Sequence, residues 1–139
     1  MTRDPILPAD PPSVSAHDRE EGLVFAPKYG PDGLVTVVTL AAADGAILMV
    51  AHMNAQALRL TLETGIVHYW SRSKGTIWRK GDTSGQRQKL LELLVDCDQD
   101  ALVAKVEVEG DGGACHTGRR SCFYRRVTAD GAGLAFVSR

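Results

Sequence analysis

Residues 88–109 read QKLLELLVDCDQDALVAKVEVE, in which the acidic motif DCDQD separates two apolar segments. From Ala101 to Glu109 an apolar series of side chains alternates with a more polar one, which is the period of a half-exposed strand. The segment from Gln88 to Val95 fits both a buried strand and an amphipathic helix, and we interpret it as a strand. These residues therefore predict two strands joined at the acidic motif.

A β-hairpin is predicted upstream of these strands. Residues 34–41 and 47–51 are rich in side chains that favour strands. The stretch Ala43-Asp44-Gly45 between them is a turn signal. We therefore expect these two segments to pair.

One helix is predicted over residues 54–64. Asn54 is a suitable N-cap, apolar residues follow it near helical spacing, and Gly65 suits the left-handed position that ends a helix. Further short strands are predicted at 66–70, 76–79 and 121–127, the last closing the sheet. The elements together predict an α+β fold, a small mixed β-sheet domain with one or two helices.

Length and charge limit what the chain can be. With 139 residues it has room for one compact domain, predicted over residues 22–139, after a polar, proline-rich and flexible tail over residues 1–21. The net charge of −1 argues against an overall electrostatic field that would attract nucleic acid or an acidic membrane. The tail lacks the layout of a signal peptide, so we expect a cytoplasmic protein with reduced thiols.

The three cysteines, Cys97, Cys115 and Cys122, are candidate zinc ligands. Their separations of 18 and 7 residues lack the paired C-x-x-C knuckles of a structural zinc ribbon or finger. Three protein ligands would leave a fourth position open for a water molecule, which is typical of a catalytic site. The alternatives are a closed structural site completed by His116, and three inert buried cysteines.

The acidic motif predicts a second kind of cation site. If residues 96–100 are extended, Asp96, Asp98 and Asp100 share one face and can converge on a hard cation such as Mg²⁺. Cys97 would then point to the opposite face, and would meet the other two cysteines there or on another copy of the chain. A zinc site shared across a dimer interface is one consequence, and a solvated acidic turn is the alternative.

A polar loop between two predicted strands has the composition of an anion-binding site. Residues 78–85, WRKGDTSG, combine glycines, hydroxyls and cations, although the spacing of a P-loop is absent. The basic and aromatic segment HYWSRSK precedes it, and Arg119-Arg120 stand beside the last two cysteines. We interpret these groups as partners for phosphate near the metals; the alternative is ordinary surface cations and core aromatics.

Four motifs in this order closely resemble those of the phosphoribosyl-AMP cyclohydrolases of histidine biosynthesis: HYWSRSK, WRKGDTSG, DCDxD and ACHTGRRSCFY. The likeness spans residues 34–126. It implies an intertwined α+β homodimer without nucleic-acid or membrane partners. It also implies hydrolysis of the N1–C6 bond in the adenine ring of N1-(5-phosphoribosyl)-AMP, which yields a phosphoribosylformimino carboxamide intermediate of L-histidine biosynthesis.

The same resemblance implies two cofactors. One Zn²⁺ per subunit is shared across the dimer, with Cys97 supplied by one subunit and Cys115 and Cys122 by the other. Asp96, Asp98 and Asp100 correspond to the Mg²⁺ ligands. A folded monomer with a complete zinc site is therefore not expected.

A hydrolytic mechanism follows as a hypothesis. Water activated by zinc attacks C6, and His116 or His68 transfers its proton to N1. Magnesium orients a phosphate, and Trp78 or Trp70 stacks on the base. The phosphate ends are assigned to the polar side chains of the motifs: Arg72, Lys74, Lys80, Thr83, Ser84, Arg119 and Arg120.

Some residues depart from the family pattern. His52 stands where an aromatic residue is expected, and Gln86-Arg87-Gln88 replaces the usual asparagine after the Ser-Gly pair. No pyrophosphohydrolase domain follows residue 139, so the stand-alone form of the enzyme is expected. The competing functions are a nucleotide deaminase, whose H-x-E and P-C-x-x-C signatures are missing, and a non-catalytic zinc module that binds RNA or protein.

Overall fold

The computed structural model describes residues 15–81, 85–110 and 119–137. It has the predicted α+β class. The elements in chain order are α1 (Ala16–Glu21), β1 (Val35–Ala41), β2 (Ile47–Met53), α2 (Ala55–Thr64), β3 (His68–Ser71), β4 (Thr76–Arg79), β5 (Gln88–Val95), β6 (Ala101–Val108), β7 (Arg125–Val127) and β8 (Leu134–Phe136). None of the helices in the described ranges is long and apolar enough to cross a membrane.

Four strands form a mixed sheet in the order β2-β1-β6-β5. The hairpin β1–β2 and the pair β5–β6 are antiparallel, as their short connections allow, whereas β1 and β6 run parallel. Every second residue of β1, and of β6 as far as Val106, is buried, including Val35, Val37, Leu102 and Ala104. The predicted hairpin is confirmed, as are the strands on either side of the acidic motif.

Helix α2 covers the core with Ala57, Leu58 and Thr61. The predicted caps are confirmed: the Asn54 side chain accepts a hydrogen bond from the Ala57 N–H at 2.8 Å, and Gly65 is left-handed at φ 75°. Because α2 ends there, the chain turns directly into the hairpin of β3 and β4.

The hairpin of β3 and β4 joins the main sheet through residues that lie just before β3 in the chain. The Val67 N–H donates to the Gln88 carbonyl, and the Leu90 N–H donates to the Gly65 carbonyl. These bonds hold the HYWSRSK motif against the beginning of β5.

The prediction that residues 121–127 close the sheet is wrong. Ser121 and Cys122 lie beside β2, where the Ser121 hydroxyl donates to the Ile47 carbonyl and the Cys122 N–H donates to the Leu48 carbonyl. The chain then leaves β2, and β7 pairs with β8 in a separate two-stranded sheet. The sequence pattern did not reveal β8, which is short.

Regular secondary structure begins before residue 22, where the sequence predicted the domain to start. Helix α1 lies within the segment that we expected to be a tail. The Arg19 Nε donates to the Ala26 carbonyl at 3.0 Å, and the side chain of Gln99 donates to the Arg19 carbonyl. Contacts from distant residues, rather than local apolar content, therefore order this segment.

Candidate metal centre and active site

The acidic motif forms a tight turn between β5 and β6 and is not extended as predicted. The Asp96 N–H donates to the Ala101 carbonyl, the Gln99 N–H donates to the Asp96 carbonyl, and Gln99 is left-handed at φ 59°. Ligand oxygens of Asp96, Asp98 and Asp100 nevertheless lie within 4.8 Å of one another. The carboxylates converge because the chain turns, whereas our prediction assumed that the extended backbone of the strand, which ends at Val95, continues through residues 96–100.

Hydrogen bonds organise the acidic turn. The Asp96 Oδ1 accepts from the N–H groups of Asp100 and Ala101 at 3.0 and 3.2 Å. The pKa of Asp100 is raised to about 6, first by its hydrogen bonds with Asp98 and Asp96 and then by desolvation and their negative charges. The hydrogen bond from Asp100 lowers the pKa of Asp98.

These properties fit a hard divalent cation. Clustered carboxylate oxygens are the ligands that Mg²⁺ and Ca²⁺ prefer, and a cation would relieve the mutual repulsion of the three carboxylates. The turn at residues 96–100 is therefore a candidate metal site.

The described cysteines lie far apart within one chain. Cys97 is exposed in the acidic turn, and Cys122 is exposed beside Leu48 of β2. The acidic turn lies beyond the end of β6 at which Ala101 pairs with Thr36 of β1. Leu48 of β2 lies near Thr39, further along β1, which pairs with Ala104. In the sheet, β1 is two strands away from β5. From strand rise and spacing, the two cysteines are on the order of 15–20 Å apart.

That separation exceeds what one zinc ion can bridge. Thiolate sulfurs bind Zn²⁺ at about 2.3 Å, so two ligand sulfurs lie roughly 4 Å from each other. Cys97 and Cys122 of one chain therefore do not meet on one ion in this fold. The third candidate, Cys115, lies outside the described residues, as does His116.

The predicted phosphate ligands divide between two ends of the main sheet. Arg72 and Lys74 are exposed in the turn between β3 and β4, and the charge of Arg72, after burial, lowers the pKa of His52 near the end of β2. Arg120 instead pairs with Asp44 at 2.9 Å, in the turn between β1 and β2. The length of β1 separates these ends by about 20 Å. Thr83 and Ser84 lie outside the described residues.

Two basic side chains lie over aromatic rings. The Lys80 Nζ is 5.6 Å from the centroid of Trp78, whose ring packs against Tyr69 at 5.1 Å. The guanidinium of Arg119 lies 4.1 Å from the ring centroid of Tyr124. Trp78 as a whole is half-buried.

His68, one of the two candidates for proton transfer, is the first residue of β3 and is buried. Its Nδ1 donates to the Ile66 carbonyl at 2.8 Å, and its backbone N–H donates to the Thr61 hydroxyl. In a neutral ring this bond leaves Nε2 as the basic nitrogen. The backbone N–H of His68 is thus tied to α2 through Thr61.

A buried polar chain beside His68 was missed from the sequence. The Tyr69 hydroxyl donates to the Gln88 Oε1 at 2.6 Å and shares a hydrogen bond with the Thr39 hydroxyl at 2.7 Å. The Gln88 Nε2 donates to the Met49 sulfur. Burial, opposed by the Thr39 bond and reinforced by the nearby Cys122, raises the pKa of Tyr69. The signal in the sequence that could have revealed this chain was Gln88, a polar residue at the start of a segment that we interpreted as a strand.

Comparison with known proteins identifies the family of this chain. A family model described as phosphoribosyl-AMP cyclohydrolase matches residues 49–124. A Brucella canis protein named phosphoribosyl-AMP cyclohydrolase is 58% identical over 132 residues, which cover 95% of this chain and 94% of the relative. A Mesorhizobium japonicum protein of the same name is 64% identical over 115 residues, covering 82% and 75%. The chain therefore belongs to the phosphoribosyl-AMP cyclohydrolase family and is a hydrolytic enzyme.

Proposed function

We propose that this chain hydrolyses N1-(5-phosphoribosyl)-AMP in L-histidine biosynthesis. Water adds to C6 of the adenine ring, the C6–N1 bond breaks, and a proton passes to N1 while the exocyclic nitrogen remains as a carboxamide. The observation that carries the proposal is the turn in which three carboxylates converge and which also carries an exposed cysteine, Cys97. The relatives whose name describes this activity support it.

Zinc and magnesium would occupy different ligand sets. Asp96, Asp98 and Asp100 would hold Mg²⁺, and through it orient a phosphate of the substrate. Cys97 of one subunit would hold Zn²⁺ together with Cys115 and Cys122 of a second copy. Zinc, when bound, lowers the pKa of a water molecule to about 7 and so makes hydrolysis possible at neutral pH.

A homodimer with sites built from two chains agrees with the distances within one chain. Cys97 and Cys122 lie too far apart to share an ion, and Arg72 and Arg120 lie at opposite ends of β1. Exposed apolar side chains on β7 and β8, such as Phe136 at 68% and Val127 at 65%, offer surface for a second copy.

The chain's own residues would bind and orient the nucleotide. The residues assigned to its phosphate ends are Arg72, Lys74, Lys80, Thr83, Ser84, Arg119 and Arg120. Arg120 would exchange its exposed carboxylate partner, Asp44, for a phosphate, and the ring of the half-buried Trp78 would stack on the base. His116 or His68 would transfer the proton to N1. The thiol ligands require a reducing compartment, and we propose the cytoplasm.

The reaction is tested by adding phosphoribosyl-AMP to the purified chain and following its absorbance. We expect turnover that a zinc chelator abolishes, with no release of ammonia. Ammonia release would instead identify a deaminase, and absence of turnover in the metal-loaded protein would contradict the proposal.

The shared zinc site is tested by mixing two inactive variants, Cys97→Ala and Cys122→Ala. If each site combines Cys97 of one copy with Cys122 of the other, a mixed dimer contains one intact site. Random exchange of subunits would then restore about a quarter of the wild-type activity. If the ligands came from a single chain, every site in the mixture would lack one cysteine and no activity would return.

A further inference from the structure

Gln99 differs from the other members of the acidic turn because its side chain points into the protein. It is 4% exposed, whereas Cys97 and Asp100 beside it are exposed. It is also the only non-glycine residue with positive φ in the described ranges 15–81, 85–110 and 119–137. A left-handed backbone costs a residue with a side chain about 1 kcal/mol, so other contacts must hold Gln99 in place.

Those contacts come from the N-terminal segment 19–28. The Gln99 Oε1 accepts from the Ala26 N–H at 2.8 Å, and its Nε2 donates to the carbonyls of Arg19 and Val24, each at 3.0 Å. The backbone carbonyl of Gln99 accepts from the Lys28 N–H at 2.7 Å. Both donors of the amide are therefore used, on a segment distant in sequence.

The neighbours of Gln99 are the carboxylates that converge. Asp98 and Asp100 flank it directly, and its own N–H donates to the Asp96 carbonyl at 3.1 Å. Three carboxylates within 4.8 Å repel one another, and the repulsion favours an open turn. The bonds to segment 19–28 oppose that opening.

We propose that Gln99 is a positioning residue for the metal turn, through which segment 19–28 holds Asp96, Asp98 and Asp100 in a geometry ready for the cation. This inference rests on the proposed function of the turn as a Mg²⁺ site. Gln99 does not touch the cation; it acts through the backbone on which the ligands stand.

The test replaces Gln99 with methionine, which keeps the length of the side chain and the charge of the turn but removes its hydrogen bonds. Binding of Mn²⁺, a spectroscopic stand-in for Mg²⁺, is measured by electron paramagnetic resonance on the zinc-loaded full-length protein. We expect Gln99→Met to weaken Mn²⁺ binding at least 10-fold, the size of effect typical of residues that support metal ligands.

Two further readouts separate positioning from a general loss of structure. Hydrogen exchange at the amides of Ala26 and Lys28 should accelerate, because both donate to Gln99. The KM should rise at low Mg²⁺ and return toward the wild-type value in excess Mg²⁺, with zinc content and kcat retained. Gln56→Met, at an exposed position of α2, is the matched control and should change none of these quantities.

A second variant keeps the inference testable if Gln99→Met does not fold. Gln99→Asn tolerates the left-handed backbone but is one methylene too short to reach the same three groups. If either variant showed faster hydrogen exchange at Ala26 but bound Mn²⁺ with wild-type affinity, the positioning role of Gln99 would be overturned, while the Mg²⁺ site would stand. Unchanged Mn²⁺ affinity in Asp98→Asn would instead contradict the Mg²⁺ site itself.

Discussion

At the scale of single residues, buried hydrogen bonds distinguish polar side chains that are alike in the sequence. Tyr69 is fully buried and its hydroxyl bonds to Gln88 and Thr39. Tyr29 also buries its hydroxyl, but that oxygen has no hydrogen-bond partner in the described part of the chain, and burial raises its pKa to about 12. The two tyrosines should therefore respond differently to loss of the hydroxyl.

We expect Tyr69→Phe to lower the free energy of unfolding by about 1–2 kcal/mol, because it leaves Gln88 Oε1 and Thr39 Oγ1 buried with one partner fewer. Tyr29→Phe is the control and should be neutral or stabilising, since the hydroxyl it removes is unsatisfied. Urea unfolding of both variants measures the difference. Equal destabilisation would contradict the assignment.

At the scale of elements, the predicted caps of α2 show how local chemistry defines a helix. Asn54→Ala removes the hydrogen bond from the Ala57 N–H and should cost about 1 kcal/mol. Gln56→Ala, on the exposed face of the same first turn, should cost much less. Thermal or urea unfolding distinguishes them, and equal effects would argue that packing alone stabilises this end of α2.

The loop of the WRKGDTSG motif depends on one close approach of the backbone. Gly81 has φ 90°, and a Cβ there would lie 2.2 Å from the Arg87 nitrogen. Gly85 has φ 80° but nothing within 4 Å of the same position. Both glycines avoid left-handed strain, yet only Gly81 also avoids a collision.

We expect Gly85→Ala to destabilise the protein by ~1–2 kcal/mol, the cost of left-handed strain alone. Gly81→Ala should destabilise it by more, because the added methyl group also collides with Arg87. Because the loop must shift away from Arg87, KM for phosphoribosyl-AMP should also rise more in Gly81→Ala. Unfolding curves and steady-state kinetics of the pair provide the measurement. Similar values for both variants would show that the loop accommodates the methyl group.

At the scale of the whole molecule, the proposed second copy accounts for both the exposed apolar strands and the separated cysteines. If zinc links the two chains, its removal loosens the assembly as well as stopping catalysis. We expect a chelator to lower the melting temperature by more than about 5 °C, and zinc rather than magnesium to restore it.

Cys97→Ser provides the control for that experiment, because a protein already lacking one zinc ligand should melt at the same temperature with and without the chelator. Sedimentation measured in parallel reports whether the dimer persists. A wild-type melting temperature that does not change after complete removal of zinc would contradict a zinc link between subunits.

Much of this protein follows from neighbours along the chain. The alternation in β6, the cap of α2 at Asn54 and the grouping of Asp96, Asp98 and Asp100 within five residues involve local interactions, and all were readable from the sequence. The family itself was recognisable from its motifs, since reactive side chains at fixed spacing are a property of sequence.

Other features depend on which surfaces meet. The parallel contact of β1 with β6, the position of Cys122 beside Leu48, the separate sheet of β7 and β8, and the bonds of Gln99 to segment 19–28 join residues distant in sequence. No local pattern specifies such pairings, because they form only when burying the common core outweighs the entropy of closing long loops. The sequence determined which side chains can bind metal, and the tertiary structure decided that the carboxylates converge in one turn while Cys97 and Cys122 stand too far apart to share an ion within one chain.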